Sequence, residues 1–179
     1  MKKLFLLVSA VLLCASTSYA QGPNGKHFGI AVNPVLALFE WGSAEVNLWD
    51  IDHTAEINIP IQFGKNPYFF DEEDIDVSYF SSGVNYRRFF NTKQQGFFAS
   101  VGWQFERANV SNAHDKIHGS TNSILFGMGY RLISENGLFW GFSLSAGRKW
   151  GEISDLSGDS ISGSGLALDI DLFKFGYAW

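Results

Sequence analysis

Gly96-Phe97-Phe98-Ala99-Ser100-Val101-Gly102-Trp103-Gln104-Phe105-Glu106-Arg107 alternates bulky apolar residues with small or polar ones. Phe97, Ala99, Val101, Trp103 and Phe105 fall on one face, and Phe98, Ser100, Gly102, Gln104 and Glu106 on the other. A period of two is the signature of an extended strand, since a helix would space its apolar residues three or four apart. The segment after it repeats the device, with Ile124, Phe126, Met128, Tyr130 and Leu132 opposing Ser123, Leu125, Gly127, Gly129 and Arg131. Past the turn sequence Ser134-Glu135-Asn136-Gly137 comes a third, in which Trp140, Phe142, Leu144 and Ala146 oppose Gly141, Ser143, Ser145 and Gly147.

Working outward from these three gives an all-β chain of about eight strands: 28–33, 44–51, 54–63, 77–90, 96–109, 121–134, 138–151 and 163–179. The intervening segments alternate in length. Those at 50–53, 91–95 and 135–137 are short, whereas 64–76, 110–120 and 152–162 are long and polar. Short turns at one end and long loops at the other predict a closed antiparallel transmembrane β-barrel with both termini on the side of the short turns. A soluble barrel also alternates, but it places Lys, Glu, Asp and Thr on its outer face. Here the less apolar face is mostly Gly, Ser, Asn and Gln, which suits a narrow interior, and the aromatic face suits lipid.

The first twenty residues read as a cleavable signal peptide. Met1-Lys2-Lys3 supplies positive charge, Leu4 to Leu13 is apolar, and Ser18-Tyr19-Ala20 forms the cleavage site, so residues 21–179 are expected as the barrel domain. The apolar run is shorter than the roughly 20 residues a membrane helix requires. Cys14 is not preceded by the small residue that a lipid-attachment motif requires. It is also the only cysteine, which leaves no disulfide framework or thiol chemistry in the processed chain. The chain carries 13 Lys+Arg against 18 Asp+Glu, and losing Lys2 and Lys3 leaves it more acidic still. Such a balance disfavours nucleic-acid binding.

Near the C-terminus Phe173, Phe175, Tyr177 and Trp179 alternate to the last residue. A terminal strand ending in an aromatic residue resembles the assembly signal of outer-membrane barrel proteins, carried here by Phe175, Tyr177 and Trp179. The resemblance implies recognition by the barrel-assembly machinery and periplasmic chaperones. The whole pattern resembles the small OmpA/OmpX-like barrels, which implies residence in the cell outer membrane among its lipid and lipopolysaccharide. Leu166, Leu168, Ile170 and Leu172 are out of phase with Phe173 to Trp179, which predicts a β-bulge near Leu172-Phe173. Pro60 removes a ladder donor and predicts a local irregularity. The stretch 33–41 reads either as a continuation of the first strand or as a short apolar excursion.

The inward set includes Glu45, Asn47, Glu56, Asn58, Gln62, Asn85, Arg87, Gln104, Glu106, Arg131 and Asp169. Charges of both signs in a narrow lumen must pair. Glu45, Glu56, Arg87, Glu106, Arg131 and Asp169 are therefore expected to form an interior polar network that plugs the barrel. An eight-strand interior has room for side chains or one small ligand. The rival reading is a narrow channel or binding barrel for small solutes, as in OmpW-like proteins.

Three further motifs carry less weight. The acidic run Asp71-Glu72-Glu73-Asp74 with Asp76 lacks the spacing of a calcium loop and reads as solvated. His114 and His118 are four apart but fall in an expected loop, so no metal or cofactor site is assigned. His118-Gly119-Ser120 has the His-x-Ser spacing of the lipid A deacylase barrels, yet no outward carboxylate is expected nearby to complete a triad. The expectation is a non-catalytic outer-membrane protein, structural or interacting through its loops.

Overall fold

Alternation builds eight strands: β1 (Phe28–Val32), β2 (Trp41–Trp49), β3 (Ala55–Lys65), β4 (Asp76–Phe89), β5 (Gly96–Ser111), β6 (Lys116–Ile133), β7 (Leu138–Ser154) and β8 (Ser160–Ala178). They are seen in a computed structural model that describes residues 27–37, 41–50, 54–65, 76–91, 94–111, 116–154 and 160–179. The expected signal peptide, the acidic run 71–74 and the His114-Asp115 pair lie outside the described residues. Each strand pairs antiparallel with its sequence neighbour, and β1 pairs with β8, so that one sheet closes on itself in a ring. Closure rests on four rungs, Gly29–Ala178, Ile30–Tyr177, Ala31–Gly176 and Val32–Phe175. They are extended by reciprocal backbone hydrogen bonds between Phe28 and Trp179.

The ring is staggered. Rungs followed from Phe28 through Leu48, Ile57, Tyr86, Val101, Phe126 and Ala146 arrive at Leu168. Phe28 itself meets Trp179, eleven residues further along the same strand. A stagger of that size goes with strands tilted by roughly 40°. A rung therefore climbs from β1 towards β8, and residues on one rung do not share one height.

Three local features follow from the sequence. Gly141 pairs with Lys174 and Ser143 with Asp171, so Leu172 and Phe173 together oppose Phe142, and Phe173 has φ of 61°. This is the expected bulge, and it turns the aromatic run outward while leaving Lys174 inside. The β3–β4 ladder skips Ile59 and Pro60 and resumes in the same register, because proline offers no N–H. Gly137 takes φ of 98° in the turn after β6, where its N–H donates to the Ser134 carbonyl at 3.0 Å.

One open reading is resolved and one expectation is corrected. After Val32 the strand does not continue, and the chain makes the short apolar excursion instead: Asn33 caps a single helical turn, α1 (Pro34–Ala37). Its side-chain oxygen accepts from the N–H groups of Val35 (3.1 Å) and Leu36 (3.4 Å), and Pro34 occupies the first helical position. Because β1 ends low in the wall, α1 packs against β2 and β8 above it. The segments 110–120 and 152–162 were expected as long loops, but β5 to β8 run well into them. Ladder hydrogen bonding continues there although the apolar alternation that marks a strand has stopped.

Candidate functional site in the lumen

The side chains divide sharply. On the outer wall Phe126 is 64 % exposed, Met128 69 % and Leu168 65 %, while Glu45, Asn47, Glu56, Asn58, Arg87 and Arg131 are buried inside the ring. This is the inverse of a soluble fold, in which burial follows apolarity.

At the centre sits Glu56 on β3, whose side chain has no exposed surface. Oε1 accepts from Arg87 Nη1 at 2.8 Å and from Arg131 Nη2 at 3.0 Å, and Oε2 pairs with Arg131 Nη1. The Arg131 contact is thus a two-pronged guanidinium–carboxylate pair, the geometry that best offsets desolvation. Arg87 also reaches Glu45 through both terminal nitrogens, at 3.4 and 3.3 Å. Glu45 in turn pairs with Lys174, and Lys174 with Asp171. The Asn33 amide donates to Asp171 at 3.0 Å, tying the cap of α1 to β8. Three carboxylates thereby meet three cations drawn from five strands, and the cluster is neutral as a unit. Asn47 contributes as well: with its amide nitrogen turned inward it stands 2.9 Å from Glu56 and 3.3 Å from Glu45.

Below the charges lies an aromatic floor. Arg131 is held 4.9 Å from the Phe139 ring, 5.2 Å from Phe89 and 5.6 Å from Trp49, and Arg87 lies 5.3 Å over Phe98. Trp49 meets Phe139 edge-on at 6.2 Å, and these two pack with Ala31 and Ala178. Gly29 makes room for the indole, because a Cβ there would come within 2.4 Å of it. The cavities that border these charges are small. One cavity of about 10 Å³ borders Glu45, Arg87, Arg131 and Lys174, and another of about 20 Å³ borders Gln62, Asn85, Gln104, Asp169 and Lys174. Each has room for about one water.

Of the six charged residues expected to form the network, Glu45, Glu56, Arg87 and Arg131 are brought together. Glu106 stands apart, further along β5, where it accepts from Lys149 Nζ (3.0 Å) and Thr121 Oγ1 (3.1 Å). Asp169 lines the larger cavity but makes no ion pair among the described residues. Asp171, two residues on, takes that part instead. Lys174, Asp171, Asn33 and the four floor aromatics were not foreseen. The phase change before Phe173 was the available signal, since an added residue there puts Asp169, Asp171 and Lys174 on one side.

Elsewhere, Phe175 faces outward, Tyr177 is buried, and Trp179 stacks on Tyr177 at 5.7 Å and meets Phe28 edge-on at 4.9 Å. His118 and Ser120 lie on the outer face of β6, in a strand rather than a loop. Ser120 is directly opposite Glu152, so the expectation that no outward carboxylate stands nearby is corrected. His118 Nδ1 is 2.8 Å from Asn109 Oδ1, and the Ser120 hydroxyl makes no hydrogen bond among the described residues. Among those residues no group of three His, Cys, Asp or Glu could hold a metal ion, and no helix is long and apolar enough to cross a membrane.

Compared with known proteins, the chain matches no protein-family model, no curated sequence and no solved structure.

Proposed function

We propose that the chain is an integral outer-membrane β-barrel with a plugged polar interior, exported by its leader and acting as a structural or surface-interacting protein without catalysis. The observation that carries this reading is the inversion of the fold: a continuous apolar outer wall around a buried, neutral cluster of three carboxylates and three cations. An apolar belt facing lipid stabilises a barrel in a bilayer, and closing the ring satisfies the backbone groups that lipid cannot. Trp140, Tyr130, Phe97 and Trp179 gather towards the end holding the short turns, where an interfacial girdle belongs. Phe175, Tyr177 and Trp179 then serve as the signal read by the barrel-assembly machinery and its chaperones.

The Glu45–Arg87–Glu56–Arg131 cluster and the one-water cavities favour the plug over a solute channel. The long β5–β8 ladders, standing beyond the apolar belt, are the surface offered to an extracellular partner. Single-channel recording on the refolded chain in a planar bilayer tests the reading. Stable insertion with no steady conductance is expected, and reproducible discrete openings would overturn it in favour of a narrow channel.

A further inference from the structure

We propose that the outer wall of β3 to β7 carries a docking arc for the head groups of acylated, phosphorylated sugars in the outer leaflet, with Lys65, Arg107 and Arg148 as its phosphate contacts. The proposal rests on the outer-membrane reading and adds a specific lipid partner to it.

These three side chains point outward and make no ion pair among the described residues. They also share one height. Arg107 is ten residues above Phe97 on β5, and Arg148 eight above Trp140 on β7. At about 3.3 Å per residue and a tilt of roughly 40°, both stand about 20–25 Å above the lower aromatic girdle. Lys65 pairs with Ser78, and Ser78 with Asn109, which puts it one rung-step above Arg107. It lies two strands towards β1, however, where each rung descends, so it returns to the same level. That level is the far edge of an apolar belt about 25 Å tall.

The wall around them has an ordered chemistry. Below the cations are Phe63, Phe80, Phe105 and Ile124, suited to acyl chains. Above and between them are Asn122, Ser120 and the hydrogen-bonded Asn109–His118 pair, suited to sugar hydroxyls. The outward carboxylates Asp76 and Glu152 lie further up their strands, and Glu152 is about 10 Å from Arg107 across two strands. Arg148 donates to Ser164 at 3.2 Å through one nitrogen, leaving a guanidinium that offers further donors. Beside β7, the outer face of β8 offers Ser162 and Ser164 near this level and, among the described residues, no cation. A phosphate-bearing glycerolipid would use the cations but not the polar surface above them. A phosphorylated glycolipid uses the acyl, phosphate and sugar levels in the order the wall presents them.

The test begins with insertion of the refolded chain into phosphatidylcholine vesicles, read by protease protection. Exclusion from vesicles would overturn the membrane reading and the arc together. With insertion shown, native mass spectrometry from micelles compares binding of bisphosphorylated lipid A with its chemically dephosphorylated form. The wild type is expected to prefer the phosphorylated lipid by at least roughly tenfold. The triple variant Lys65→Gln, Arg107→Gln, Arg148→Gln is expected to lose that preference. Arg88→Gln, at the other end of the wall, should keep it. Equal preference in the triple variant and the wild type, or no preference in an inserting wild type, would overturn the arc while leaving the barrel intact.

Discussion

Replacing Glu56 with glutamine keeps the shape of the side chain and removes one charge from the centre of the lumen. Arg87 keeps Glu45 as a partner, at 3.3 Å, but Arg131 loses the only carboxylate it touches among the described residues. Its guanidinium is left 3 % exposed among Trp49, Phe89 and Phe139. Stripping one partner from a buried ion pair costs about 3–5 kcal/mol. The three rings go on attracting the cation and return about 1 kcal/mol of that, leaving a loss of about 2–4 kcal/mol. Reversible urea unfolding in lipid vesicles, followed by tryptophan fluorescence, measures it as a lower midpoint. The double variant Glu56→Gln, Arg131→Met removes both charges and is expected to regain most of the loss, because an apolar replacement of a buried pair is close to neutral. A single variant within about 1 kcal/mol of wild type, or a double variant no better than the single, would refute the account of the plug.

Gly147→Ala is expected to destabilise by about 1–3 kcal/mol in the same assay, since its Cβ would fall 1.8 Å from the Ile124 carbonyl oxygen. Gly163→Ala, with nothing within 4 Å, should be neutral, and the two together test the wall geometry. Deleting Phe173 removes the bulge yet leaves Leu172 opposite Phe142 and Lys174 opposite Gly141, still facing Glu45. A folded, heat-modifiable band in gel electrophoresis should therefore persist, whereas inserting one residue after Phe173 should abolish it. At the β2–β3 turn, partial burial pushes the Asp50 carboxyl up, but the N–H groups of Ala55 and Thr54 and the Thr54 hydroxyl outweigh it and hold its pKa below the ordinary 3.8. A carboxylate with a lowered folded-state pKa stabilises above its unfolded value, and that stability is lost as pH falls through the folded one. Asp50→Ala should therefore unfold at lower urea than wild type at pH 7, by about 1 kcal/mol. The gap should close below about pH 4, and a gap unchanged by acid would count against the turn carboxylate.

Much of this was legible beforehand because period-two alternation is a local property. Once Phe97 to Phe105 are assigned to one face, every neighbour in the strand follows, and Glu45, Glu56, Arg87 and Arg131 fall inward without knowledge of their partners. The break in phase before Phe173 and the proline at position 60 were visible for the same reason, each being a disturbance of a repeating pattern. Strand ends were misjudged where both faces turn polar, at Lys116 to Ser120 and Ser160 to Ser162. Backbone hydrogen bonds hold the ladder there, and side-chain pattern carries no trace of them.

The sequence by itself determined the strands, the turns between most of them, and which side of each strand is apolar, because these depend on residues within a few positions of one another. Only the tertiary structure decided which charges meet. Glu56 and Arg131 are 75 residues apart and Lys174 and Glu45 are 129 apart. Their contact depends on the stagger with which the ring closes, a sum over every rung that no local pattern contains. The same stagger brings Lys65, Arg107 and Arg148 to one height, and lets α1 take the place in the wall that β1 leaves.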